Sequence, residues 1–162
     1  MTLSLIAITC LALGLSSALV AGVFQSFSDF VMRGLIAAEP AGGIDSMQMI
    51  NRTVMQSVFI VMLLGLAPVA LGLAIYAWFN LSGPALIWII AGTVIYVAGV
   101  FLVTMLGNVP MNNRLANMAY AQPETANYWR TYGKVWTQWN HVRTLGSVAA
   151  AICFLAAGVT LA

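Results

Sequence analysis

Four stretches of this chain are almost free of charge, and each is long enough to cross about 30 Å of hydrocarbon at about 1.5 Å per residue. They cover roughly residues 3–25, 54–79, 85–107 and 144–162. Helical signals continue through the polar segments between them. Asp29 and Arg33 stand at i and i+4, a spacing that suits a salt-bridged extension of the first helix by two or three turns. Glu39-Pro40-Ala41-Gly42-Gly43 predicts a break. A second helix is expected from near Ile44, with Asp45 placed well against the helix dipole, running through Met47, Ile50 and Asn51 into the second span. Pro68 predicts a kink in that span, and Pro110 a kink or break at the end of the third. Pro123, followed by Glu124, has the chemistry of a helix start, and no proline follows it. From there to Ala162, an unbroken helix would be about 58 Å long, far more than a membrane is thick.

These elements predict an all-α fold: an integral membrane, antiparallel, up-down four-helix bundle, one domain over residues 1–162. One end should project beyond the bilayer by a few turns, closed by tight connections near Gly42 and Gln122. Gly14, Ser17, Ala18 and Gly22 on the first span, Gly92 and Gly99 on the third, and Gly146 with Ala150 on the fourth are spaced for close helix approach.

Composition agrees, since 62% of the residues are hydrophobic and only 6% charged, against about 25% charged in soluble domains. Every charged residue falls in one of two connections, Asp29 to Arg52 or Arg114 to Arg143, and four spans put both on one side. All six Lys and Arg therefore share that side, which the positive-inside rule places in the cytoplasm; both termini are expected in the periplasm of a bacterial inner membrane. Met1 to Phe24 lacks the basic start and short apolar core of a signal peptide and reads as a retained first span. Cys10 and Cys153 lie within apolar runs and read as buried thiols. One His, two Cys and four scattered carboxylates (Asp29, Glu39, Asp45, Glu124) do not suggest a metal site, so no metal and no cofactor are expected. A dispersed net charge of +2 gives no reason to expect nucleic acid as a partner.

Candidate chemistry concentrates between Tyr128 and Thr144, which hold three of the five tryptophans, three of the six basic residues and the single histidine. On a helix, Tyr132, Trp136, Trp139 and Arg143 form one face, with Asn140 and His141 beside it. That face reads either as an interfacial aromatic belt or as the lip of a pocket. Polar residues recur at the same depth on the other helices: Gln25, Ser28 and Asp29; Asn51, Arg52 and Gln56; Asn108, Asn112 and Asn113. They read either as a structural polar layer, with Asp29 neutralising Arg52 or Arg143, or as the lining of a cavity. In the cavity reading His141 is the candidate base, because imidazole is the side chain that exchanges protons near neutral pH. Arg52, Arg143, Asn108, Asn112 and Asn140 are candidate donors to a phenolate or enolate, and Tyr132, Trp136 and Trp139 would stack on a flat ring system.

The segments GVFQSFSDFVM (Gly22 to Met32), MQMINRTV (Met47 to Val54), GNVPMNNRLA (Gly107 to Ala116) and YWRTYGKVWTQWNHVRT (Tyr128 to Thr144) resemble a family of small four-span membrane proteins that includes the fungal anthrone oxygenases. The resemblance implies an oxygenase that turns anthrone-type phenolic tricycles into anthraquinones with O₂ and without metal or flavin. A base would strip the acidic C–H, and the carbanion would react with O₂. The carried-over catalytic candidates are His141, Asn108 and Arg143; the ligand-binding candidates are Asn51, Arg52, Asn112, Trp136, Trp139 and Asn140. The expected partners are membrane lipid and an aromatic polyketide- or quinone-like small molecule. The alternative function is a non-catalytic accessory subunit of a larger inner-membrane complex, or of a homo-oligomer. An open, ligand-sized cavity bounded by His141, Asn108 and Arg52 would favour the first reading.

Overall fold

A computed structural model describes residues 4–119 and 122–162, and among these every regular element is helical. Five helices follow in order: α1 (Leu5–Ala37), α2 (Pro40–Val54), α3 (Val58–Asn80), α4 (Pro84–Ala116) and α5 (Pro123–Thr160). All but α2 are long and apolar enough to cross a membrane, and they pack in the ring α1, α5, α4, α3. The chain is a membrane helical bundle. Many large apolar side chains, among them Leu5, Leu15, Val61, Phe79, Ile87 and Val159, remain more than half exposed on its flanks, as lipid contact requires.

The fourth spanning helix, α5, is continuous for 38 residues, as the absence of a proline after Pro123 predicts. The first also runs past the apolar stretch to Ala37. Three local expectations need correction. Helix α2 starts at Pro40, not near Ile44, because Pro40 occupies the helix start where its missing N–H costs nothing. The connection is therefore at Ala38 and Glu39, and Gly43 lies inside the helix, where a Cβ would collide with the Leu35 carbonyl. Helix α2 does not run on into the second span. It ends at Val54, and Ser57 caps a new helix by accepting from the Ile60 N–H (3.3 Å) while its own hydroxyl donates to the Val54 carbonyl (2.6 Å).

Pro110, finally, does not break the third span. Helix α4 absorbs it with two π-helical stretches, Val97–Leu102 and Thr104–Asn108. Their wider turn explains a pattern along this helix. Tyr96, Val100, Thr104, Asn108 and Asn112 all face inward at steps of four residues, whereas in an α-helix each such step drifts by about 40°. A π turn at Phe27–Val31 does the same for Val20, Phe24, Ser28 and Met32 on α1. The inward face of α5 mixes steps of three and four (Trp129, Tyr132, Trp136, Asn140, Arg143, Ser147), which needs no such device.

Two apolar cores result. One fills the membrane half and includes Phe24, Leu63, Ile89, Tyr96, Val100 and Phe154; the other lies at the charged end, where Met32, Ile44, Met47, Leu115, Trp129, Tyr132 and Trp136 pack together. Between them Ser28, Thr104, Asn108, Asn140 and Arg143 form a buried polar layer.

Candidate functional site

The site is built on α5. Trp129, Tyr132 and Trp136 stack along its inward face, with ring centroids 5.5 and 6.0 Å apart and planes within 18° and 21°. Asn112 of α4 fixes the stack, since its Oδ1 accepts from the Tyr132 hydroxyl (2.7 Å) and from the Trp136 indole N–H (2.8 Å). Burial pushes the Tyr132 phenol above its ordinary range, so it stays a donor. Trp139 leaves this face. It is 41% exposed and lies on the flank of Gly107, where a Cβ would come within 2.9 Å of the ring. Trp129 joins the row in its place.

One turn further on, Asn140 ties α5 to α1. Its Nδ2 donates to the Phe24 carbonyl (2.6 Å) and the Ser28 hydroxyl (2.6 Å), both at the π turn of α1, and its Oδ1 accepts from Arg143 Nη2 (2.6 Å). The Arg143 guanidinium lies 4.2 Å from the Phe24 ring centroid and 5.3 Å from that of Trp136. An amide oxygen and two ring faces thus stand where the polar-layer reading would put Asp29, and Asp29 itself is exposed. Asn108 donates from Nδ2 to the Trp136 carbonyl (3.1 Å), which fixes the orientation of its amide. Its Oδ1 is buried and without a hydrogen-bond partner, as are Asn51 Nδ2 and Arg143 Nε. Unpaired buried polar atoms are uncommon in folded proteins, and three at one site point to a polar ligand or ordered water.

These groups line a cavity of about 620 Å³. Of the nine residues selected from sequence, Asn51, Arg52, Asn108, Asn112, Trp136, Asn140 and Arg143 line it, drawn from α2, α4 and α5. His141 and Trp139 do not; His141 is exposed on the outside of α5. The sequence reading missed the apolar walls, Phe24, Phe59, Met47, Met55 and Met105, which look like ordinary span residues until the helices are placed. The four-residue step from Phe24 to Ser28 was the one signal available for Phe24. Among the described residues no three His, Cys, Asp or Glu side chains converge.

A sequence profile of a family described as anthrone oxygenase matches residues 52–153, well over half of the chain. The chain belongs to the anthrone oxygenase family. No curated protein and no solved structure matches it. The family match begins at Arg52 and covers α3, α4 and most of α5, so it contains Asn108, Asn112, Trp136, Asn140 and Arg143, while Asn51 lies one residue before it. The polar floor of the cavity is therefore carried mainly by the part of the chain that defines family membership, with Phe24 and Phe27 of α1 lining the cavity from outside the match.

Proposed function

We propose that the cavity binds a flat hydrophobic phenol or quinone and that, with an anthrone, the protein acts as an oxidoreductase using O₂. The observation that carries this reading is a ligand-sized cavity whose floor holds a guanidinium contacted by rings and an amide rather than a carboxylate. Its volume falls in the range of small-molecule sites, about 300–1,000 Å³, and a mostly apolar wall with few polar groups is their usual make-up. An open cavity of this kind favours a ligand-binding role over an accessory subunit.

Loss of a proton from the C–H₂ carbon of an anthrone gives an enolate whose charge rests on the ketone oxygen. Arg143, with the Asn51 amide, supplies donors to that oxygen, and the Asn108 Oδ1 accepts from a neighbouring hydroxyl. The carbanion passes its electrons to O₂ and a C–O bond forms. The resulting hydroperoxide loses its second C–H proton and expels hydroxide, so one anthrone and one O₂ give one anthraquinone and one water. His141 stands outside the cavity lining, so the first proton is passed to water. The six basic residues at the charged end support a cytoplasmic placement of that end, with both termini in the periplasm of a bacterial inner membrane.

The test is oxygen consumption with anthrone in nanodiscs, beside thermal stability with and without the ligand. Turnover above buffer that falls by about 10²- to 10³-fold in Arg143→Met is the expected result. Wild type that neither exceeds buffer nor gains stability from any aromatic ligand would overturn the reading.

A further inference from the structure

The cavity is covered only in part at its charged end, where Arg52, Asn113 and Ala116 of its lining stay exposed, and it is open on its side. Helix α2 lies across that end, and Gln48, buried beneath it, donates from Nε2 to the carbonyls of Leu115 (2.7 Å) and Met118 (2.8 Å) just where α4 finishes. Met47 is buried in the same roof. The opposite situation holds between α3 and α4. Among the described residues their side-chain hydrogen bonds are Thr93 to the Ala70 carbonyl (3.2 Å) and Tyr96 to the Leu63 carbonyl (3.0 Å), and none lies nearer the charged end than Leu63. Beyond Leu63 and Tyr96, α3 runs back to its cap at Ser57 while α4 widens into its π-helical stretches. The cavity lining there is apolar and partly exposed, with Met55 65%, Leu64 38% and Met105 42% accessible, and the last two lie within the apolar spans. The floor, by contrast, is closed: Asn108 is 1% and Arg143 5% exposed.

Resting on the reading of this cavity as a ligand site, we infer that its ligand enters and leaves sideways, from the bilayer, through the gap between α3 and α4 at Leu64 and Met105. The ligand class is thereby narrowed to molecules that dissolve in the membrane with a polar edge that reaches the floor last. An apolar rim leading to a buried cation suits such a molecule, since its ring system trades lipid for protein contacts without crossing water and its oxygen is then met by Arg143 and Asn51.

A bulky residue on the path slows binding and release alike. The experiment follows quenching of protein fluorescence by 1-hydroxyanthraquinone in nanodiscs, with the quinone supplied from vesicles. Leu64→Trp and Met105→Trp are each expected to slow both uptake and release by about tenfold, and Met105→Ala to speed both. Ala116→Trp, at the charged edge of the lining, should exchange like wild type. The inference fails if Ala116→Trp slows exchange while Leu64→Trp and Met105→Trp do not. If wild type takes up no quinone, the proposed function fails instead, and the gap is judged by a probe that needs no binding site. Thr104→Cys would place a thiol inside the cavity. Labelling by bilayer-dissolved N-(1-pyrenyl)maleimide, above the background from Cys10 and Cys153 and suppressed by Met105→Trp, supports sideways access; labelling that Met105→Trp leaves unchanged, or none, overturns it.

Discussion

Replacing Arg143 with Met should separate binding from stability. Loss of the guanidinium removes one charge-assisted hydrogen bond to Asn140, about 1.5–3 kcal/mol. It also removes the contacts with Phe24 and Trp136, about 0.5–2 kcal/mol each. In return, a charge 5% exposed no longer has to be held away from water, a cost of several kcal/mol. These terms oppose each other at similar size, and methionine refills much of the space between the two rings, so the net change in stability should lie within about 2 kcal/mol of zero. Ligand affinity has no such compensation. A lost charge-assisted hydrogen bond weakens binding of a phenolate by about 10- to 150-fold. Thermal melting in detergent and titration with 1-hydroxyanthraquinone measure the two effects on one preparation. A variant that melts far below wild type yet binds the ligand equally well would show that Arg143 is a structural cation, and the electrostatic argument for the site would fall with it.

His141→Ala should leave both turnover and melting temperature close to wild type, because the ring is exposed outside the cavity; a 10²-fold or greater loss of oxygen consumption in a folded variant would restore it as the base. Asn140→Leu should destabilise by about 3–5 kcal/mol in denaturant titrations, since it leaves Arg143 without its amide and takes the side-chain donor from the Phe24 carbonyl and the Ser28 hydroxyl. Gly107→Val should cost about 1–3 kcal/mol and shift tryptophan emission as the Trp139 ring is pushed off α4. The Tyr132 phenol titrates higher folded than unfolded, so the stability it confers is complete below the ordinary tyrosine value near 10 and declines as pH rises beyond it. Tyr132→Phe should flatten that alkaline loss.

The bundle was readable because lipid imposes long apolar runs and prolines mark where they can begin. Seven of the nine selected site residues share the cavity for a related reason: polar side chains at one depth in a membrane protein have few places to go except inward. What could not be read was rotation about each helix axis. Trp139 was put on the inward face because Tyr132, Trp136 and Arg143 are there, yet Trp129 and Asn140 complete that row, and Gly107 gives Trp139 a seat on the flank. His141 drew attention by its chemistry alone and faces outward. The start of α2 was misplaced because Pro-Ala-Gly-Gly resembles a loop, although proline at a helix start and a glycine pressed against Leu35 make it a helical turn.

The π-helical stretches of α4 have a consequence for how the chain can change. A π turn is geometrically one surplus residue accommodated within a helix. Deleting a single residue between Val97 and Asn108 would let that turn relax to α-helix, and the rotation of about 100° lost with the residue would be returned by the relaxed turn. Ile89 and Thr93 would keep their packing in the membrane half, and Asn108 and Asn112 would still face Trp136 and the stack. The polar floor is thus buffered against the loss of one residue in this span. A one-residue deletion in a plain α-helical span has no such slack, and there it would swing everything after it by about 100°.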